Sequence, residues 1–273
     1  MARWRWPSNR ERVRLGLGLV LAALAVGSLV WAKGLPPGGL TWAGLGEGGV
    51  LQVSAAARAD AGLVREALQQ LGLAGRFPEN LVQAYQETGD VTPARGEETI
   101  VVLSAAPHVG AIAVFDPSRK LVGRITDLGD IGSVSLIRLP GLKQQALVVQ
   151  EHADQMLGAY TVTDWLRIYV WRKDAFAEVW KGVRSSRSFI NEAWQGVTRD
   201  PGWVRVAVDA EITFEQHDRD FRINVDSREV KARTTGQAVP QPERRWTTIS
   251  TRRSQQSWIW QKGAFKLVSE ATD

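Results

Sequence analysis

Residues 15–32, LGLGLVLAALAVGSLVWA, run for 18 residues without a charge. Wound as a helix at about 1.5 Å per residue, such a run spans about 27 Å, close to the hydrocarbon thickness of a bilayer. It is longer than the roughly 7–15-residue core of a signal peptide, so a retained transmembrane anchor is expected. Arg3, Arg5, Arg10, Arg12 and Arg14 precede it against the single Glu11. That bias places residues 1–14 in the cytoplasm as a basic tail and the bulk of the chain on the extracytoplasmic side. Trp4, Trp6 and Trp31 flank the run, as interfacial aromatics do. The competing reading is a signal peptide cleaved after Ala32, where Val30 and Ala32 occupy the two positions a signal peptidase inspects. Either way residues 33–273 are exported, to the cell membrane's outer side.

The formal charge of +5 is concentrated in that tail, whose net is +4, leaving +1 for the other 259 residues. No nucleic-acid partner is expected for the body of the protein. With no cysteine in the chain, disulfide staples and thiolate metal sites are excluded. A domain of this length folds on its hydrophobic core.

Residues 33–53 open with KGLPPGGLTWAGLGEGG, seven glycines and two prolines in seventeen residues, and read as a spacer from the membrane. Residues 54–97 read as a helical segment. In Ala61–Leu71 the apolar residues Leu63, Val64, Ala67, Leu68 and Leu71 recur at helical spacing, with Gly72 and Gly75 as stops. Pro78–Glu87 reads as a second helix, with proline at its start and Gly89 beyond its end. Gly62–Leu73, Gly75-Arg-Phe77 and Ala84-Tyr-Gln86 resemble small three-helix peptidoglycan-binding modules.

From Glu98 to the end the pattern is that of strands. Val204, Val206, Val208, Ala210, Ile212 and Phe214 alternate with Arg205, Asp209, Glu211 and Thr213, the period of a half-buried antiparallel strand. Phe221, Ile223 and Val225 alternate likewise, and apolar runs at Thr99–Leu103, Ala111–Phe115, Val134–Leu139 and Ala146–Val149 add further strands. Tyr169-Val-Trp-Arg-Lys-Asp-Ala-Phe-Ala-Glu-Val179 aligns without gaps with Trp258-Ile-Trp-Gln-Lys-Gly-Ala-Phe-Lys-Leu-Val268, five of eleven positions being identical. Each copy reads as strand, tight turn, strand, with Trp171 facing Phe176 and Trp260 facing Phe265 across the hairpin. Residues 132–182 and 203–268 therefore resemble blades of β-propellers of the VCBS or FG-GAP type. That family carries a D-x-D-x-D-G calcium loop, which this chain lacks: Asp127-Leu-Gly-Asp130 and Asp218-Arg-Asp220 do not match it. About ten to twelve strands by pattern are too few to close a propeller. The fold class expected is mainly β: an N-terminal transmembrane helix, a short helical pair, then an antiparallel β-sandwich or blade-like domain.

No nucleophile elbow, S-x-x-K or P-loop occurs. His108, His152 and His217 are scattered without metal-ligand spacing, so no metal and no cofactor are expected. Candidate binding residues are aromatic. Trp165, Arg167, Tyr169 and Trp171 alternate with Leu166, Ile168 and Val170, and Trp258 and Trp260 repeat the pattern. Such a row is either a platform for a sugar or protein partner or the second buried face of a central strand. The functional expectation is a non-enzymatic binding or interaction protein of the cell envelope, contacting another envelope protein or a wall polymer. The alternative is an exported hydrolase using a pair of carboxylates.

Overall fold

The computed structural model describes residues 57–77, 82–105, 109–156, 160–197, 199–217, 220–236 and 245–273. The basic tail, the 15–32 run and the whole of the 33–53 spacer lie outside the described residues. Among those described, no helix is long and apolar enough to cross a membrane.

Among the described residues thirteen strands and one α-helix, with a 3-10 turn at Glu192–Gln195, form in the order β1 (Ala57–Arg58), α1 (Ala61–Gln70), β2 (Val82–Gly89), β3 (Glu98–Ala105), β4 (Val109–Phe115), β5 (Leu121–Leu128), β6 (Asp130–Ile137), β7 (Ala146–Met156), β8 (Tyr160–Arg172), β9 (Ala175–Asn191), β10 (Gly202–His217), β11 (Asp220–Thr235), β12 (Thr247–Gln261) and β13 (Ala264–Thr272). Every pairing is antiparallel and joins sequence neighbours. β1 to β5 make a five-stranded sheet and β6 to β13 an eight-stranded one. The mainly β reading therefore stands, as two antiparallel sheets packed in the manner of a sandwich.

The first helix is where the periodicity puts it. Asp60 caps it by accepting from the Leu63 N–H at 3.1 Å, and Leu63, Val64, Ala67 and Leu68 are its buried stripe. The second expected helix is instead the strand β2, and the resemblance to a three-helix module falls with it. Val82 and Ala84 pack toward α1 while Tyr85 packs toward the opposite core, so the side chains alternate with period two. An eight-residue ladder with β3, Val82 opposite Ala105 through Gly89 opposite Glu98, outweighs local helix preference.

The central strands β3 and β4 of the five-stranded sheet are buried on both faces. Val101, Leu103, Ala113 and Phe115 lie under α1, whereas Ile100, Val102, Ile112, Val114 and Ile125 face the second sheet. This accounts for the unbroken apolar runs of β3 and β4, which no period-two pattern marks. At its base the fully buried Glu98 carboxylate closes the β2–β3 loop. It accepts from the Val91 and Thr92 N–H groups at 2.9 and 3.2 Å and from the Thr92 hydroxyl at 2.5 Å.

Gly129 carries the chain from β5 in one sheet to β6 in the other. A Cβ there would stand 2.4 Å from the His152 carbonyl oxygen, so only glycine admits this crossing. Beyond it Ile131, Val134, Leu147, Val149 and Tyr169 complete the inter-sheet core. The other face of β7 and β8 is buried as well. Val148, Leu166, Ile168 and Val170 pack against Phe221, Ile223, Trp260 and Phe265, brought back over them by the curl of the eight-stranded sheet. Two features permit the curl. β10 pairs with β9 only from Trp203 to Asp209, so Ala210–His217 hold β11 alone. Bulges at Asp164/Trp165, Ile168/Tyr169 and Ser257/Trp258 add local twist.

Candidate functional site

The residues expected to bind fall into two groups on opposite sides of β7 and β8. Trp165, Arg167, Tyr169 and Trp171 share the face turned toward the five-stranded sheet; Trp258 and Trp260 pack into the second core. The structure does not bring the six together on one surface. Lys181 sits with its Nζ 3.7 Å from the Trp165 ring centroid. Arg167 anchors a charged cluster, its Nε 2.6 Å from Glu151 Oε2 and its Nη1 3.4 Å from Glu178 Oε2. Nη1 also donates to the Tyr169 hydroxyl at 3.3 Å, and the buried Glu151 accepts from the Gly129 N–H at 2.8 Å. Burial pushes the Tyr169 phenol above its ordinary range, an effect the Arg167 hydrogen bond partly offsets. Burial would lower the Arg167 guanidinium, but Tyr169, Glu151 and Glu178 together hold it above its usual value. A cation so held is a fixed charge, not a proton carrier. The cluster ties the Gly129 crossing to β7, β8 and β9.

The histidine with carboxylates nearby, His152, belongs to a polar row running across the eight-stranded sheet. Asp130, His152, Asp164, Ser185, Asp209, Arg228 and Arg253 stand opposite one another strand by strand. His152 Nδ1 lies 2.8 Å from Asp164 Oδ1, and the Ser185 hydroxyl donates to Asp164 Oδ2 at 2.6 Å. The order matters. A hydrolytic triad needs the imidazole between serine and carboxylate, to take the hydroxyl proton. Here the carboxylate stands in the middle, so Ser185 is not activated and the trio is a cross-strand clasp. Among the described residues no three His, Asp or Glu side chains gather to hold a metal ion. His108 lies outside the described residues, and Asp127, at φ 61°, belongs to β5 at the register shift between its pairings with Gly110 and Ile112.

A recess of about 650 Å³ opens between two turns at one end of the strands, lined by Pro140, Gly141, Leu142, Trp260, Lys262 and Gly263. Trp260 is 5% exposed and donates its indole N–H to the Pro140 carbonyl at 2.9 Å. The Arg172 guanidinium lies over the Trp260 ring at 5.8 Å. Its Nη2 fills the place a side chain on Gly263 would take, 2.7 Å from the ideal Cβ position. No carboxylate lines the recess. Of its parts the sequence marks Trp260 as a candidate binder and Lys262-Gly263 as a tight turn; nothing local links residues 140 and 172 to 260. No family model, curated protein or solved structure matches this chain.

Proposed function

We propose that this chain is a membrane-anchored, extracytoplasmic binding protein of the cell envelope, non-enzymatic, that contacts another envelope protein or a wall polymer. The observation that carries the reading is the far half of the eight-stranded sheet. Thr247–Arg253 of β12 are exposed residue after residue, so both faces of the strand meet solvent there, and Ile249 is 54% exposed. The neighbouring β13 pairs only with β12 among the described residues and exposes Leu267 and Val268. Strands of fifteen and nine residues that leave so much of their length outside any core add little to stability and offer surface for a partner. The uncharged run and the arginine-rich tail supply the anchor and the direction. The alternative is an exported hydrolase, which would use a pair of carboxylates in a deep pocket.

Two measurements test the reading. Protease added to intact spheroplasts should remove residues 33–273 from the outside; full protection of the C-terminal domain rejects the topology. A photo-crosslinking residue at Ile249 or Leu267 in the full chain should capture an envelope component, while one at the buried Val102 should not. Equal labelling at all three rejects the surface.

A further inference from the structure

We propose that the recess between the turns is a site for an organic anion, a carboxylate or phosphate carried on an apolar body. The floor is apolar: Trp260, Pro140 and Leu142. Lys262 lines the opening, and the Arg172 guanidinium, outside the lining itself, borders two residues that belong to it, over the Trp260 ring and against Gly263. Neither cation has an ion-pair partner among the described residues. Lys143 follows Leu142 on the same loop and is exposed, and the nearest turn adds one acid, the exposed Asp174. A guanidinium fixed in place without a counter-anion is prepared to meet one, since little side-chain freedom is lost when it does. Pockets of roughly 300–1,000 Å³ that pair an apolar wall with a few placed polar groups are the usual form of a small-molecule site. The site exists wherever the domain resides, so the failure of the envelope reading would leave it standing, and the reverse.

Calorimetric titration of the full chain in neutral-lipid nanodiscs tests it, with octyl phosphate and octanoate as probes and empty nanodiscs correcting for partition. Both anions should bind, and R172Q/K262Q should weaken them at least tenfold. Arg172→Lys should keep affinity within about threefold. K262Q alone, at an exposed turn where folding is not at stake, should weaken binding severalfold. Octanol and inorganic phosphate should each bind far more weakly than octyl phosphate. The proposal is overturned if wild type and both Lys262 variants give one isotherm. Octanol binding as tightly as the anions would mean an apolar slot only, and inorganic phosphate binding as tightly would mean the floor takes no part; either result also overturns it.

Discussion

The hairpins β8–β9 and β12–β13 share a sequence pattern and an internal geometry but serve different cores. In each, tryptophan and phenylalanine stand directly opposite across a two-residue turn, with ring centroids 5.1 Å apart: Trp171 with Phe176, Trp260 with Phe265. In each, the turn residues have positive φ, Lys173 and Asp174 in one, Lys262 and Gly263 in the other. The surroundings differ. The first pair lies against Gly123 of β5, so it clamps one sheet onto the other. The second faces the curled interior of the eight-stranded sheet, with the Trp260 indole tied to Pro140. The tips meet where Arg172 of the first hairpin covers Trp260 of the second. A hairpin code sets what its own two strands do, and the partner surface decides what the rings are for.

The largest effect separating the two should come from removing the tryptophans. Trp260→Ala opens a cavity in the second core and leaves the Pro140 carbonyl without its donor, a loss of about 3–5 kcal/mol. Trp171, only half-buried, should lose about 1–2 kcal/mol on the same change. Denaturant unfolding of the two variants reads the difference, and equal midpoints would break the comparison. Next comes the clamp. A Cβ at position 123 would stand 2.7 Å from Phe176 Cε2 and 3.0 Å from Trp171 Cζ3, ring atoms that can retreat only together. Gly123→Ala should therefore cost about 1–3 kcal/mol by overpacking. Adding Trp171→Ala should relieve much of that cost, which a double-mutant cycle measures. An additive pair would show that the rings do not bear on β5.

A smaller effect lies in the turns. Asp174 sits at φ 61° where the second hairpin has glycine, so Asp174→Gly should stabilise the first by about 1 kcal/mol or less. A lower melting temperature would mean that the aspartate makes a compensating contact. The far end of the strands provides the control. Glu192 takes the Arg233 Nε on both oxygens, at 3.1 and 3.0 Å, and accepts from the Gly202 N–H at 2.8 Å. The Arg233 hydrogen bond first, and the Gly202 N–H after it, hold its pKa below the ordinary glutamate range. The folded value lies under the unfolded one, so this stability is present above the usual carboxyl range and is lost as pH falls through the lowered value. Glu192→Gln should flatten that part of the acid limb of stability against pH while leaving both hairpin variants' effects unchanged. An unaltered limb would assign the acid sensitivity elsewhere.

Where a residue's role depends on its own strand, the sequence could be read. The alternation of Val204 to Phe214 marks β10, and both aromatic pairs follow from a spacing that a tight turn dictates. Where the role depends on a distant strand, it could not. Pro78–Glu87 carries a proline start and a glycine stop and so reads as a helix, yet its strand ladder with β3 decides the matter. Nothing near Glu98 in the sequence signals that its carboxylate will be buried on the N–H groups of Val91 and Thr92.

Taken by itself, the amino-acid order determined the charge asymmetry, the uncharged 18-residue run, the absence of thiol chemistry, the first helix and the strand-rich remainder. These follow from composition and from periods of two or 3.6, which act over a few residues. The tertiary structure alone decided which face of each strand is covered and by what. It placed Arg167 beside Glu151, set Asp164 between Ser185 and His152, and brought Pro140 and Trp260 to one recess with Arg172 beside it. The reason is that a strand's two faces are equivalent to its own backbone. Only the twist and curl accumulated over eight strands choose which of them meets a neighbour.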